Sequence, residues 1–185
     1  REMTAMLIKE FNKEVLYTSE DLVKVSSADM AILKEKALAN VRKRIRLCSH
    51  KDVSDPIHEM LIIHTKDAYV RPHKHLNKSE SVHIIEGSAD IVILDEQGNV
   101  MEIIPMGEYA SGRKFYYRMA TPRYHTMIVH SNFLVFHETT KGPFQRSDTV
   151  FAPWAPEEEN VAACHAYMQK LIERISAYSF SERNR

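Results

Sequence analysis

Apolar residues recur along this chain with two different periods. Met30, Leu33, Ala37, Val41 and Ile45 fall at three- and four-residue intervals, which predicts an amphipathic helix starting near Ser27. Ser26 or Ser27 is placed to cap it. Its last turns would carry Arg42, Lys43, Arg44 and Arg46, cations that suit the negative end of a helix dipole and could also bind an anion. Ahead of it, residues 6–25 mix short apolar runs with polar breaks and predict one or two strands.

After His50 the pattern becomes strand and turn. Strands are expected over residues 59–64, 69–75, 81–86, 90–94, 99–104, 114–118, 124–130 and 133–138. Asp95-Glu96-Gln97-Gly98-Asn99 is the clearest hairpin loop, with Gly98 free to take positive φ. About eight short strands at near-regular spacing argue for a jelly roll or barrel. From Pro153 the helical period returns: Pro156 suits a first turn and Glu157, Glu158 and Glu159 its positive dipole end. Val161, Cys164, Met168, Leu171, Ile175 and Tyr178 then form an apolar stripe, expected to pack outside the barrel, with a dimer contact as the alternative. Trp154, between two prolines, anchors the entry to this helix.

Length and composition narrow the picture. A chain of 185 residues suits one structural domain. Its parts are an extension over 1–50, a barrel over 51–152 and a terminal helix over 153–185. Cys48 and Cys164 lie far apart and outside any metal or redox spacing, so they read as buried thiols in a cytoplasmic protein. Acidic and basic residues balance at 25 each, which leaves no electrostatic footprint for nucleic acid or an anionic membrane. No apolar run approaches membrane-spanning length, and the short N-terminal one is no signal-peptide core. The expected partner is a small molecule or a protein. Arg1 is not a natural start, so residues ahead of it can be missing.

Chemistry concentrates between Arg71 and Gly87. His73 and His75 are two apart, so on a strand both imidazoles point to one face. Leu76-Asn77-Lys78-Ser79 favours a turn, and an antiparallel return strand would bring the Glu80 carboxylate beside them. Two nitrogens and one oxygen are thereby gathered for a metal ion. Tyr69 and Arg71 share the parity of the histidines and are expected to face the same cavity. There an arginine would grip a carboxylate or phosphate bidentately, or form an ion pair at the barrel mouth. Pro72 points outward, at an edge or a bulge. If Ser131-Asn132 is a two-residue hairpin loop, His125 faces Glu138 across it, making Glu138 a general-base candidate.

The spacing of His73, His75, Glu80 and Gly87 resembles the first motif of the cupin superfamily, with Asp67 where a glycine usually opens it. That resemblance implies a third histidine from a later strand, chosen among His125, His130 and His137. His125, after Pro122, is the best placed, although the Pro-x-Gly spacing of the second motif is not kept. His58, His64, His83 and His165 are expected to hold no metal. The segments RIRLCSH, DPIHEML, RPHKH, KSESVHIIEG, FYYR, YHT, HETTKGPF and FAPWAPEE together resemble the WbuC family of cupin-fold metalloproteins.

The resemblance implies a mainly β cupin jelly roll with an N-terminal and a C-terminal helix packed outside. It also implies a bacterial protein, a setting in O-antigen or other surface-polysaccharide biosynthesis, and by analogy a homodimer. Three imidazoles and one carboxylate suit one divalent transition ion: Fe, Mn, Ni, Zn or Cu. Three functions follow as expectations. The first is a metal-dependent enzyme, such as an isomerase or epimerase, acting on a carbohydrate-derived or anionic ligand. The others are an Fe(II) dioxygenase and a carbohydrate-binding or metal-stapled module without turnover.

Overall fold

The structure is a computed structural model that describes residues 8–183. Its first strands, β1 (Ile8–Glu10) and β2 (Val15–Thr18), pair antiparallel. The turn between them is closed by Asn12, whose side-chain oxygen accepts the N–H groups of Glu14 and Val15, both at 2.8 Å. Helix α1 (Ser27–Ala39) begins in a capping box. The Ser26 hydroxyl accepts the Asp29 N–H, while the Asp29 carboxylate accepts the Ser26 N–H at 2.7 Å.

The expected helix through Ile45 is shorter in the structure. Asn40 turns extended, and its side chain binds the Lys13 carbonyl and the Arg42 N–H instead. Residues Arg44–Cys48 form strand β3, parallel to β2. Of the four cations expected at the helix end, Lys43 does meet it, donating to the Leu38 carbonyl at 2.8 Å, whereas Arg42 and Arg44 both pair with Glu14 and Glu158.

Nine more strands follow, namely β4 (Ile57–Thr65), β5 (His73–His75), β6 (Glu80–Glu86), β7 (Ser88–Leu94), β8 (Val100–Gly107), β9 (Tyr116–Met119), β10 (Tyr124–Val129), β11 (Phe133–Lys141) and β12 (Thr149–Phe151). They make two sheets: seven strands in the order β1-β2-β3-β4-β11-β6-β9, and five in the order β12-β5-β10-β7-β8. Between them lies a core that includes Met60, Ile62, Val82, Ile84, Ile91 and Phe136. These residues sit at alternating positions, as one-sided strand packing requires.

Two further clusters cover the outer faces. Leu33 and Ala37 of α1 pack on Ile45, Leu47, Ile63 and Val135 of the larger sheet. Leu171 and Ile175 of α2 (Val161–Arg183) pack with Val92, Leu94, Tyr124 and Ile128 of the smaller one. Strands buried on both faces explain apolar runs such as Ile91 to Leu94. Helix α2 starts five residues beyond Pro156, with the Asn160 side chain accepting the Ala163 N–H. Trp154 does anchor this segment: its indole donates to the Glu96 carbonyl at 3.0 Å. Its ring lies against Gly98, where φ is +83° and a Cβ would sit 3.0 Å from the indole. Both cysteines are buried free thiols.

Ser131-Asn132 is not a hairpin loop. Strand β10 pairs with β5 and β7, whereas β11 pairs with β4 and β6. The chain crosses from one sheet to the other there, held by Ser131 Oγ, which accepts the Ser88 N–H and donates to the Phe133 carbonyl. His125 is therefore opposite His73 and Ile93, and Glu138 opposite Met60 and Val82.

Candidate metal centre

Only three residues of the RPHKH stretch form a strand, and they suffice to align two imidazoles. His73 and His75 of β5 share a face, and β5 is clamped between β10 and β12. The turn after it carries Asn77 at φ +59°, a conformation asparagine tolerates. The chain does not return beside β5 as a hairpin. It crosses to β6 in the opposite sheet, so Glu80 reaches the histidines across the sandwich.

The donor atoms converge tightly. One ligand atom from each of His73, His75, Glu80 and His125 lies within 4.8 Å of the others. His75 Nε2 is 3.0 Å from Glu80 Oε2, and His125 Nε2 is 3.6 Å from Glu80 Oε1. The His73 and His125 rings are 4.5 Å apart.

Hydrogen bonds fix which nitrogen faces inward. A carbonyl can only accept, so His73 Nδ1 donates to Arg71 O and His125 Nδ1 to Arg123 O, each at 2.9 Å. In the neutral ring, Nε2 of each then carries the lone pair. His75 Nδ1 lies 3.3 Å from Thr149 Oγ1. Orientation of this kind is what metal-ligating histidines use.

Burial alone would raise the Glu80 carboxyl, but His125 and His75 outweigh it and hold it well below the usual range. Burial would lower His125, yet Glu80 raises it. Burial, then His125 and His75, pushes His73 down to about 3, so it stays a neutral ligand. Tyr117 donates to Glu80 Oε1 at 2.7 Å; burial and that carboxylate keep its phenol protonated. A buried carboxylate facing three oriented imidazoles fits a divalent transition ion.

The other expected site residues divide. Arg71 lines the cavity, with its Nε buried and unpartnered and its guanidinium 5.1 Å from the Phe151 ring centre. Glu138 also lines it, reached through strand parity on β11 rather than through a hairpin. Burial, then the Glu80 charge, raises its pKa to about 7. Tyr69 stays outside the cavity lining: its hydroxyl donates to the Pro156 carbonyl at 3.0 Å, beside Tyr167. Residues 69–72 are not strand, so the parity of β5 does not extend to them. Pro72 is buried, its carbonyl accepting the Ala152 N–H.

His130 pairs with Asp90 and His137 lies near Glu59, both away from the cluster. Two contributors carried no legible signal: Thr149 sits on a three-residue strand, and the face of Tyr117 depends on β9 pairing with β6.

The cavity around the cluster measures about 370 Å³, within the range of small-molecule sites. Seven cationic side chains line it against four carboxylates, so it is cationic before any ion is added.

Comparison with known proteins places the architecture. A family model described as a domain of unknown function (DUF6016) matches residues 25–106. No curated protein matches the chain. The solved structure of protein SO0799 from Shewanella oneidensis is similar over 73% of this chain and 87% of that one, at 11% identity and a TM-score of 0.51. Oxalate decarboxylase from Bacillus subtilis matches 54% of this chain and 24% of its own, at 21% identity and a TM-score of 0.43. For the Lactobacillus farciminis oxalate decarboxylase formate complex the figures are 54%, 28%, 18% and 0.41. This chain thus spans only 24% to 28% of the oxalate decarboxylases it matches. The fold is mainly β, a cupin jelly roll with two helices outside.

Proposed function

We propose that this protein is a metal-dependent enzyme acting on a small, anionic, carbohydrate-derived ligand such as a sugar acid. The observation that carries this reading is the union of the His73, His75, His125 and Glu80 cluster with a cationic cavity. A divalent ion held by those four residues would supply Lewis acidity toward a carbonyl or hydroxyl. Arg71, with a buried unpartnered Nε, is suited to grip a carboxylate. Glu138, with its pKa near 7, would take or return a proton around neutral pH. Phe151 and Met127 add apolar surface to the cavity lining.

The resemblance to the WbuC family supports a role in surface-polysaccharide metabolism in a bacterial cytoplasm. Pairing into a homodimer is part of the same proposal. The test is a thermal-shift screen of zinc-, manganese- and iron-loaded protein against uronic acids and the matching neutral sugars. Uronic acids are expected to raise Tm, and Arg71→Ala to abolish the rise. An Arg71→Ala variant that responds like wild type would remove Arg71 from the site. Oxygen uptake by the iron form alone would favour the dioxygenase reading.

A further inference from the structure

On the face of β3 and β4 that looks into the cavity, Arg44 is opposite His64 and Arg46 opposite Ile62. Arg46 and His64 are therefore diagonal neighbours on one face, near enough for both to touch one compact ligand group. Their partners set them apart from Arg44. Arg44 is saturated by Glu14, Glu158 and the Tyr69 carbonyl. Arg46 makes no ion pair among the described residues; Nη1 reaches only the Met60 sulfur, at 3.8 Å. His64 is buried, and its Nδ1 has no hydrogen-bond partner. Both residues line the cavity that holds the histidine cluster.

An unpartnered buried ring nitrogen costs stability unless something satisfies it. The Arg46 guanidinium, exposed at an inward-facing strand position, lines the cavity with no carboxylate paired to it among the described residues. From these two groups we infer that the β3–β4 wall is a second anion subsite, at which Arg46 and His64 bind a phosphate or carboxylate remote from the histidine cluster. The Arg46 fork offers two parallel N–H donors to such a group. His64, which burial and the charges of Arg44 and Arg46 hold neutral, offers one more. This inference rests on the reading that the cavity takes an anionic ligand, and it deepens that reading. The ligand carries two polar ends, one toward the histidine cluster and one compact anion at the β3–β4 wall.

The test separates the two readings by using chelator-treated protein, in which the histidine cluster has no part. Inorganic phosphate and acetate are titrated calorimetrically into wild type, Arg46→Gln, Arg46→Lys and Lys170→Gln, the last an equal loss of charge on the outer helix. One of the two anions is expected to bind wild type and Lys170→Gln alike. Binding should weaken about tenfold or more in Arg46→Gln, with partial rescue in Arg46→Lys, which keeps the charge but not the fork. The tighter of the two anions identifies the group. No binding to wild type, or equal binding to Arg46→Gln, would overturn the subsite whatever the metal content proves to be.

Discussion

His75 and Glu80 are five residues apart in the chain yet belong to opposite sheets, and their Nε2 and Oε2 atoms lie 3.0 Å apart. Their approach is the narrowest point of the candidate centre. Either side chain alone is therefore expected to be indispensable to metal retention. Elemental analysis of untagged protein purified without oxygen should give near one equivalent of metal for wild type. His75→Ala and Glu80→Gln should retain roughly a tenth or less. Metal-free wild type would sink the central claim.

Tyr117 touches no ion in this reading, but its phenol holds Glu80 Oε1 at 2.7 Å. Tyr117→Phe should keep the fold and weaken metal binding about 10- to 100-fold, the usual cost of losing such a support. Competition with a chromogenic chelator measures it. An unchanged affinity would mean that the tyrosine only fills space.

Glu138 gives a pH signature. Its folded pKa is raised to about 7 from an ordinary 4.5 by burial and by Glu80. The folded state therefore holds that proton more tightly than the unfolded chain. Its stabilising contribution is complete below about pH 4.5 and is lost as pH rises through about 7. Chelator-treated Glu138→Gln should gain about 3 kcal/mol relative to wild type between pH 4.5 and pH 8. Urea titrations at the two pH values read the difference, and parallel behaviour of the two proteins would refute the assignment.

Gly87 closes the first motif for a steric reason. Its φ is +87°, and an added Cβ would collide with the Phe133 carbonyl and the Ser131 hydroxyl. Gly87→Ala is expected to cost about 2 kcal/mol or more, from both backbone strain and the clash. A chemical denaturation midpoint equal to that of wild type would contradict it.

What the sequence disclosed follows the range of the forces involved. His73 and His75 were legible because alternation along a strand is local. Glu80 was legible as a neighbour although its path was not, since a four-residue turn looks the same whether it closes a hairpin or crosses between sheets. The same ambiguity misled at Ser131-Asn132. Glu138 still reached the cavity because even-numbered positions of β11 face inward. Arg46 was legible as a cation able to bind an anion, but on a helix rather than on β3. Val41 and Ile45 continue the helical interval, but Asn40, bound to Lys13 and Arg42, and Lys43 at φ +56° turn the chain into a strand. Tyr69 was misplaced for the opposite reason, since a strand of three residues carries its alternation no further than its ends.

Three of the converging side chains belong to the five-stranded sheet and the fourth to the seven-stranded one. An ion seated among them would act as a rivet through the sandwich. The two layers could then separate at that end only as fast as the ion leaves. Slow amide exchange along β5 and β6 would become a clock for metal release, and starving the protein of metal would let the two layers part first at the β5–β6 end.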